Sequence, residues 1–396
     1  MNRATGWRLV IRAITLLGRW RYALLWGWMA VLVMLNPGRG TVSHRGVDWG
    51  WFVLGSDLLF GRHPSGATEP GGLHLYANYP ELHTGPLSFV AAAFFRILSP
   101  DNGKQLAILV LAAVGPLIVL SVERAALAAR GDRDFRNMRL LPLATLAGGA
   151  VFLLAWSELA VFWGHLAEGL VLAAAAVVVW CAATRTRPMV AGAAIGLACG
   201  VLTSAFLLLP LLARFPRRAA LRAAAVAVAL AALVWLPFFV ADPDTFDAAH
   251  AKLYNVADSG LRVFGVDAPV SPDWLRPVQV VVALTLGALA VARGRWAAAI
   301  LVAVGARLAL DPGVFSFYTA GFVFGALVWD LVGRRLPIPV WTFATYAALE
   351  LVPRIVGDPQ IRGIARVAIV LAAAGFVLAL PALRIRPSAA TSAAGR

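Results

Sequence analysis

Long apolar runs recur along the whole of this 396-residue chain, and they constrain its fold more than any other feature. A helix needs about 20 apolar residues to cross a bilayer, and lipid offers the backbone no other hydrogen-bond partner. The sequence therefore predicts an all-α polytopic membrane protein. The candidate spans lie near residues 22–36, 105–122, 140–157, 167–183, 221–240, 277–292, 296–310, 315–332, 338–353 and 364–382.

The composition leaves no room for a large soluble domain. The chain is 60% hydrophobic and 14% charged, whereas soluble domains are about half apolar and about a quarter charged. We expect one membrane domain over residues 1–386 and a disordered polar tail over 387–396. The net charge of +15 fits Arg-rich cytoplasmic loops, so no nucleic-acid partner is expected.

Arginine placement predicts the orientation. Five Arg precede the first span and five more lie within 123–139, which puts both segments in the cytoplasm. These assignments agree only if 86–98 is a re-entrant or interfacial helix and 189–215 is a hairpin of two short helices. We expect a multi-pass protein of the inner (plasma) membrane with its polar loops outside, namely 37–104, 158–166, 241–276, 311–314 and 354–363.

The loop that follows the first span is unusually rich in ionisable groups. Asp48 lies about a dozen residues beyond the span and is followed by Trp49, Trp51 and Phe52, which suits a helix in the membrane interface. Partial desolvation raises a carboxylate's pKa toward the range of a general base. Asp48 is the catalytic candidate and Asp57 a candidate substrate-binding acid; the alternative is a solvated loop acid or a helix cap.

The later part of this loop supplies candidate substrate-binding side chains. The run YANYPELH ends just before Gly85-Pro86, which restricts the backbone and would aim side chains at a site. The histidine spacing matches no zinc pattern, so neither a metal nor a cofactor is expected. The candidates are His74, Tyr76, Tyr79, Glu81 and His83.

A second constellation lies at the outer end of a predicted span. His165 and Glu168 are three residues apart and share one face of a helix. Ionisable groups at such depth usually line a cavity. We predict that both bind substrate in the same cavity as Asp48; the alternative is a satisfied polar pair that caps helix ends.

Arginines on the outer side suggest a phosphate. Arg354 and Arg362 run against the tendency of Arg to stay in the cytoplasm, and a guanidinium binds phosphate oxygens in a bidentate manner. Arg307 precedes Asp311 by one helical turn and lies near Tyr318, a further substrate-binding candidate. The alternative for Arg307 and Asp311 is an internal ion pair.

Several short motifs together resemble a known family. They are an outer Asp soon after span one, Leu-Leu-Phe-Gly at 58–61, Tyr-Pro at 79–80 before an apolar helix, Gly164-His165 at the start of a span, Arg-Thr-Arg at 185–187 and Ala-Gly at 191–192. Over residues 20–215 the chain resembles the GT-C superfamily of integral-membrane glycosyltransferases, especially the polyprenyl-phosphate-mannose-dependent mannosyltransferases of actinobacteria.

The resemblance implies about ten to thirteen helices, an outward-facing cavity and Asp48 as the catalytic base. It also implies a polyprenyl-phosphate sugar donor, a lipid or glycan acceptor and inversion at the sugar. Arg307, Arg354 or Arg362 would then stabilise the departing phosphate. A transporter or flippase that uses Arg307 and Asp311 as midplane binding groups is the alternative, and a non-catalytic scaffold is a third.

Overall fold

A computed structural model describes residues 3–35, 45–62, 68–131, 140–246 and 252–379. Within these ranges the chain is helical without a β-strand, and a single antiparallel bridge joins Tyr254 to Val270. The predicted all-α class is confirmed. The tail 387–396 lies outside the described residues.

The described part of the chain contains sixteen α-helices, four 3-10 helices and three wider π-helical turns. The α-helices are α1 (Arg3–Leu35), α2 (Trp49–Leu59), α3 (Leu75–Asn78), α4 (Pro86–Leu98), α5 (Gly103–Arg130), α6 (Leu141–Ser157), α7 (Leu166–Thr184), α8 (Pro188–Val201), α9 (Arg217–Ala241), α10 (Gly260–Val263), α11 (Leu275–Ala292), α12 (Ala299–Ala309), α13 (Ser316–Val328), α14 (Val340–Tyr346), α15 (Val352–Ile355) and α16 (Pro359–Ala379). The 3-10 helices are Gly72–His74, Thr203–Arg214, Pro243–Thr245 and Trp296–Ala298, and the π-helical turns are Glu158–Trp163, Trp329–Gly333 and Ala347–Leu351.

Seven helices in the described ranges are long and apolar enough to cross a membrane, and each coincides with a run identified in the sequence. The polytopic prediction is therefore confirmed. Four apolar helices are shorter. The seven are Gly103–Arg130, Leu141–Trp163, Leu166–Thr184, Arg217–Ala241, Leu275–Ala292, Ser316–Gly333 and Pro359–Ala379; the four are Pro86–Leu98, Pro188–Val201, Thr203–Arg214 and Trp296–Ala309.

Two spans form the rigid centre of the bundle. Phe152 and Trp156 of α6 and Phe324 of α13 are fully buried, and the rings of Phe152 and Phe324 lie 6.1 Å apart between centroids. Large rings that interdigitate in this way leave few voids between the helices and fix their relative positions. This centre supports the end of the bundle where α6 gives way to the π-helical turn Glu158–Trp163.

Small residues let α8 and α9 approach closely. A Cβ atom added at Gly192 would lie 2.2 Å from the Ala223 carbonyl oxygen, and one at Gly196 would lie 2.6 Å from that of Ala227. Such small residues four apart are typical of packed membrane helices. Only 17% of the apolar window of α9 is buried. The helix is therefore held along one strip, and its remaining surface faces outward or toward the cavity described below.

Candidate active site

The segment that carries Asp48 is held against the π-helical turn Glu158–Trp163. The backbone N–H groups of residues 46–48 donate hydrogen bonds of 2.9–3.1 Å to the carbonyl oxygens of residues 161–163. The last carbonyls of a helix have no partner within it and need one from elsewhere. Three consecutive bonds of this kind fix the position of Asp48 immediately before α2.

Gly164 allows the two chain segments to touch. Its backbone has φ of 62°, a left-handed conformation that glycine adopts without steric cost. A Cβ atom at this position would lie 2.7 Å from Cα of Gly46. The chain then turns directly into His165, which precedes α7, so the turn brings His165 beside Asp48.

His165 lies between two aromatic rings and two carboxylates. Its ring stacks on Phe317 with centroids 4.3 Å apart and meets the edge of Phe52 at 5.3 Å. Nδ1 forms an ion pair with Glu168, and Nε2 lies 3.7 Å from Oδ2 of Asp48. The prediction that His165 and Glu168 share a cavity with Asp48 is confirmed.

Burial and neighbouring charges set the acidity of this group. Burial raises the pKa of Asp48 to about 6; the charge of His165 opposes the rise and that of Glu168 adds to it. Burial alone would lower the pKa of His165, but the carboxylates of Glu168 and Asp48 outweigh it and raise that pKa. Asp48 is thus mostly ionised at neutral pH, yet basic enough to accept a proton.

Arg307 of α12 forms the opposite side of the site. Its guanidinium lies over the ring of Tyr318, 4.8 Å from the centroid, and donates to Oγ of Ser204 at 3.1 Å. Its Nε lies 4.0 Å from Oδ2 of Asp311, which is 1% exposed. Part of the Arg307 charge is therefore compensated within the protein.

Except for Asp311, these ionisable and aromatic side chains line one cavity of about 1480 Å³. It collects segments that are far apart in the sequence, including the loops around Asp48, His165, Lys252 and Gly313, which the arginine distribution assigns to one side of the membrane. Seven predicted site residues lie on its wall, namely Asp48, Glu81, His83, His165, Glu168, Arg307 and Tyr318.

His83 reaches the cavity from the loop before α4. Its Nδ1 lies 2.8 Å from the Glu81 carbonyl oxygen, to which it donates when the ring is neutral. Burial lowers the pKa of His83. A neutral His83 leaves Nε2 as an acceptor, which suits a substrate hydroxyl.

One side of the cavity is apolar and open. The 3-10 helix Thr203–Arg214 packs against both α9 and α11, which do not pack closely on each other. The facing side chains of α9 and α11 line the cavity and are also exposed, including Val228 (63%), Leu236 (57%) and Val281 (62%). The cavity therefore opens sideways between two apolar helices.

Arg276, at the start of α11, is a cavity residue that the sequence did not predict. Its Nη1 donates to Oε1 of Gln279 at 2.9 Å, and both residues line the cavity. Among the described residues Arg276 has no carboxylate within ion-pair distance, whereas Arg307 lies 4.0 Å from Asp311, so the charge of Arg276 is less closely paired. A signal was present: Arg276 belongs to the loop 241–276 that the sequence predicts to be outside, and an arginine in a predicted outer loop is what singled out Arg354.

Six predicted site residues are not on the cavity wall. Asp57 forms ion pairs with Arg96 at 2.6 Å and with Arg62 at 3.6 Å, which tie α2 to α4 and to its own end. His74 lies 2.9 Å from Oδ2 of Asp242 at the surface. These contacts give both residues a structural role.

The two loop tyrosines are also structural in their contacts. Tyr76 is fully buried behind the cavity wall, 5.0 Å from the ring of Trp235, and its hydroxyl donates to the Thr84 carbonyl oxygen at 2.8 Å. Tyr79 donates to the Glu69 carbonyl oxygen at 2.8 Å. Both bonds shape the loop that presents Glu81 and His83.

Arg354 and Arg362 point to protein carboxylates instead of the cavity. Arg354 lies 3.2 Å from Glu158 and 3.5 Å from Glu350, and Arg362 lies 3.7 Å from Asp258. Of the three arginines predicted to bind phosphate, only Arg307 lines the cavity, and Arg276 lines it as well.

No group of three or more His, Cys, Asp or Glu side chains within the described ranges is arranged to hold a metal ion. Searches against family models, characterised proteins and solved structures found no match to the chain.

Proposed function

We propose that the chain is a membrane glycosyltransferase that moves mannose, or another hexose or pentose, from a polyprenyl-phosphate donor to a hydroxyl of a lipid or glycan acceptor. One juxtaposition carries the proposal: Asp48, with a pKa of about 6, lines the same cavity as the guanidinium groups of Arg276 and Arg307. The cavity opens between apolar helices, where a lipid chain would lie.

Asp48 acts as the general base in this scheme. It takes the proton from the acceptor hydroxyl as that oxygen forms a bond to the anomeric carbon. The bond from the anomeric carbon to the phosphate oxygen breaks, and its electron pair leaves with the lipid phosphate. A single displacement of this kind inverts the configuration of the sugar.

Arg276 and Arg307 bind the phosphate. A lipid phosphate is already a good leaving group and needs no proton, but its charge requires stabilisation in a partly desolvated site. The planar guanidinium matches phosphate oxygens in a bidentate manner. Arg276 supplies the less compensated charge, and Arg307 is held in place by Ser204, Tyr318 and Asp311.

The apolar wall accounts for the donor's lipid chain. Val228 and Leu236 of α9 and Val281 of α11 offer a polyprenyl chain a continuous path from the bilayer to the cavity. Burial of apolar surface is worth roughly 25 cal/mol per Å², so even a few isoprene units contribute to donor binding. We place the cavity on the outer face of the plasma membrane, with the N-terminus in the cytoplasm.

A transporter or flippase would use the same lipid path without forming a bond. The Arg307–Asp311 pair weighs against that function, because Asp311 is 1% exposed and does not line this cavity.

The test uses purified protein in nanodiscs with polyprenyl-phosphate mannose and a set of other polyprenyl-phosphate sugars. Transfer of radiolabelled sugar to a lipid or glycan acceptor, lost in Asp48→Asn, is the expected result. Proteoliposomes that move labelled lipid across the bilayer without forming a new glycosidic bond would instead establish transport.

A further inference from the structure

Three ionisable side chains form a row at the buried end of the cavity, in the order Glu168, His165 and Asp48. His165 is 9% exposed and Glu168 is 8% exposed. Each ring nitrogen of His165 faces one carboxylate. Nδ1 is in direct contact with Glu168, and Nε2 lies 3.7 Å from Asp48. The mechanism above uses only the last member of this row.

The position of Glu168 favours a negative charge. It lies in the first turn of α7, three residues after His165 at the N-cap. The unpaired N–H groups and the dipole at a helix N-terminus stabilise a carboxylate there. A fixed anion on Nδ1 favours a proton on both ring nitrogens of His165.

The distances separate the roles of the two carboxylates. Glu168 is in direct contact with the ring, whereas the 3.7 Å between Nε2 and Asp48 is an ion-pair distance that is longer than a hydrogen bond. The charge of His165 therefore acts on Asp48 electrostatically without a hydrogen bond to it, so the carboxylate oxygens can still accept a proton from the cavity. Phe52 and Phe317 hold the ring at this distance.

We propose that His165 and Glu168 are positioning residues: Glu168 keeps His165 an imidazolium, and His165 keeps the buried Asp48 ionised and facing the acceptor. This rests on the proposed function of Asp48 as the base. When Asp48 takes the acceptor proton, the His165–Glu168 pair does not change its protonation. The net charge of the row rises from −1 to zero, and Asp48 later returns the proton to solvent through the cavity.

The other charged or titratable groups near the row are few. Arg307 of α12 opposes the protonation of His165, but less than Glu168 favours it. His83 faces the row from the loop before α4, and burial lowers its pKa. Lys104 of α5 packs against the backbone at Gly46, two residues before Asp48. None of these replaces the carboxylate contact on Nδ1.

A pH profile of transfer tests the role of His165. The acid limb of kcat/KM for the native protein should lie near pH 6, the pKa of Asp48. In His165→Gln the loss of a neighbouring cation should move this limb upward by about one pH unit. Transfer should then fall about five-fold at pH 6 and return to near the native rate at pH 9.

A matched control is His74→Gln, because His74 pairs with Asp242 away from the cavity. Its profile should match that of the native protein. Loss of transfer in His165→Gln at every pH, with the protein still folded, would make His165 itself the base and overturn the proposal. An unshifted acid limb would overturn it as well.

Imidazole NMR of protein labelled at histidine supplies a readout that needs no activity. The His165 signal, identified by its absence in His165→Gln, should keep the imidazolium pattern above pH 6.5, the ordinary pKa. In Glu168→Gln it should become neutral at lower pH. A His165 that is already neutral at pH 6 in the native protein overturns the row, whatever the reaction; an imidazolium in a protein without transfer activity overturns only the proposed function.

Discussion

Arg276 and Gln279 are joined by a hydrogen bond of 2.9 Å from Nη1 to Oε1, and the amide of Gln279 donates in turn to the Leu310 carbonyl oxygen at 2.8 Å. The glutamine thus ties a cavity arginine of α11 to the end of α12, the helix that carries Arg307. The two arginines come from different helices, but one side chain fixes their relative position.

This arrangement predicts that Arg276 contributes to transfer as a phosphate ligand. Arg276→Gln should lower kcat/KM for the polyprenyl-phosphate donor by about 10²-fold or more, as expected for loss of a charged donor to a developing anion. Steady-state kinetics with varied donor would measure it. Arg354→Gln is the control, because Arg354 pairs with Glu158 and Glu350; an equal loss in the control would contradict the assignment.

Asp48→Asn should reduce transfer by about 10²–10⁴-fold, since it keeps the shape of the side chain but removes the basic oxygen. The matched control is Asp57→Asn, which changes an acid of α2, nine residues further on, that pairs with Arg96. The control should lose thermal stability and keep most of its activity. If the Asp48→Asn variant transfers sugar at the native rate and the Asp57→Asn variant does not, the base has been misassigned.

The pKa of Asp48 also predicts how stability depends on pH. Burial raises this pKa in the folded protein from its ordinary 3.8 to about 6. A raised folded-state pKa means that the native state binds the proton more tightly, so this group stabilises the fold below about pH 4. That contribution is lost as the pH rises through about 6. Thermal unfolding from pH 4 to 8 should show this dependence reduced in Asp48→Asn.

Gly164→Ala should impair both folding and transfer. The left-handed backbone costs a residue with a side chain roughly 1–2 kcal/mol, and the new methyl group would overlap Gly46, 2.7 Å away. Gly50→Ala is the control, since nothing lies within 4 Å of its added methyl group in α2. Thermal denaturation and transfer rates of the two variants should diverge; equal behaviour would mean that the close approach is unimportant.

The fold class could be predicted from the sequence because the requirement for crossing a bilayer, about 20 apolar residues in a row, can be read from each segment alone. A long apolar run in a membrane must satisfy its backbone hydrogen bonds as a helix, and seven of the runs form helices long and apolar enough to cross one. The grouping of Asp48 with His165 and Glu168 could also be predicted from the sequence. Ionisable groups at the same end of several spans avoid the lipid and usually line a common cavity.

Other parts of the site depend on partners distant in sequence. What distinguishes Asp57 from Asp48 is the ionic partner of its carboxylate. That partner, Arg96, lies 39 residues further along the chain than Asp57. The same holds for Arg354, whose partner Glu158 is 196 residues away. No local pattern distinguishes an arginine that binds a ligand from one that is neutralised inside the protein. The converse holds for Arg276: its local sequence does not show that it lines the cavity, because the cavity is formed by segments distant in the chain.

The π-helical turn Glu158–Trp163 makes the geometry around Asp48 depend on chain length as well as on residue identity. Successive residues of a regular helix are separated by about 100° of rotation. Removal of one residue from this turn, with a return to regular helical winding, would swing the carbonyl oxygens of residues 161–163 away from residues 46–48. Every side chain of the cavity would still be present, yet Asp48 would lose the backbone hydrogen bonds that position it. A single-residue deletion here is thus a more severe change than most substitutions on the cavity wall.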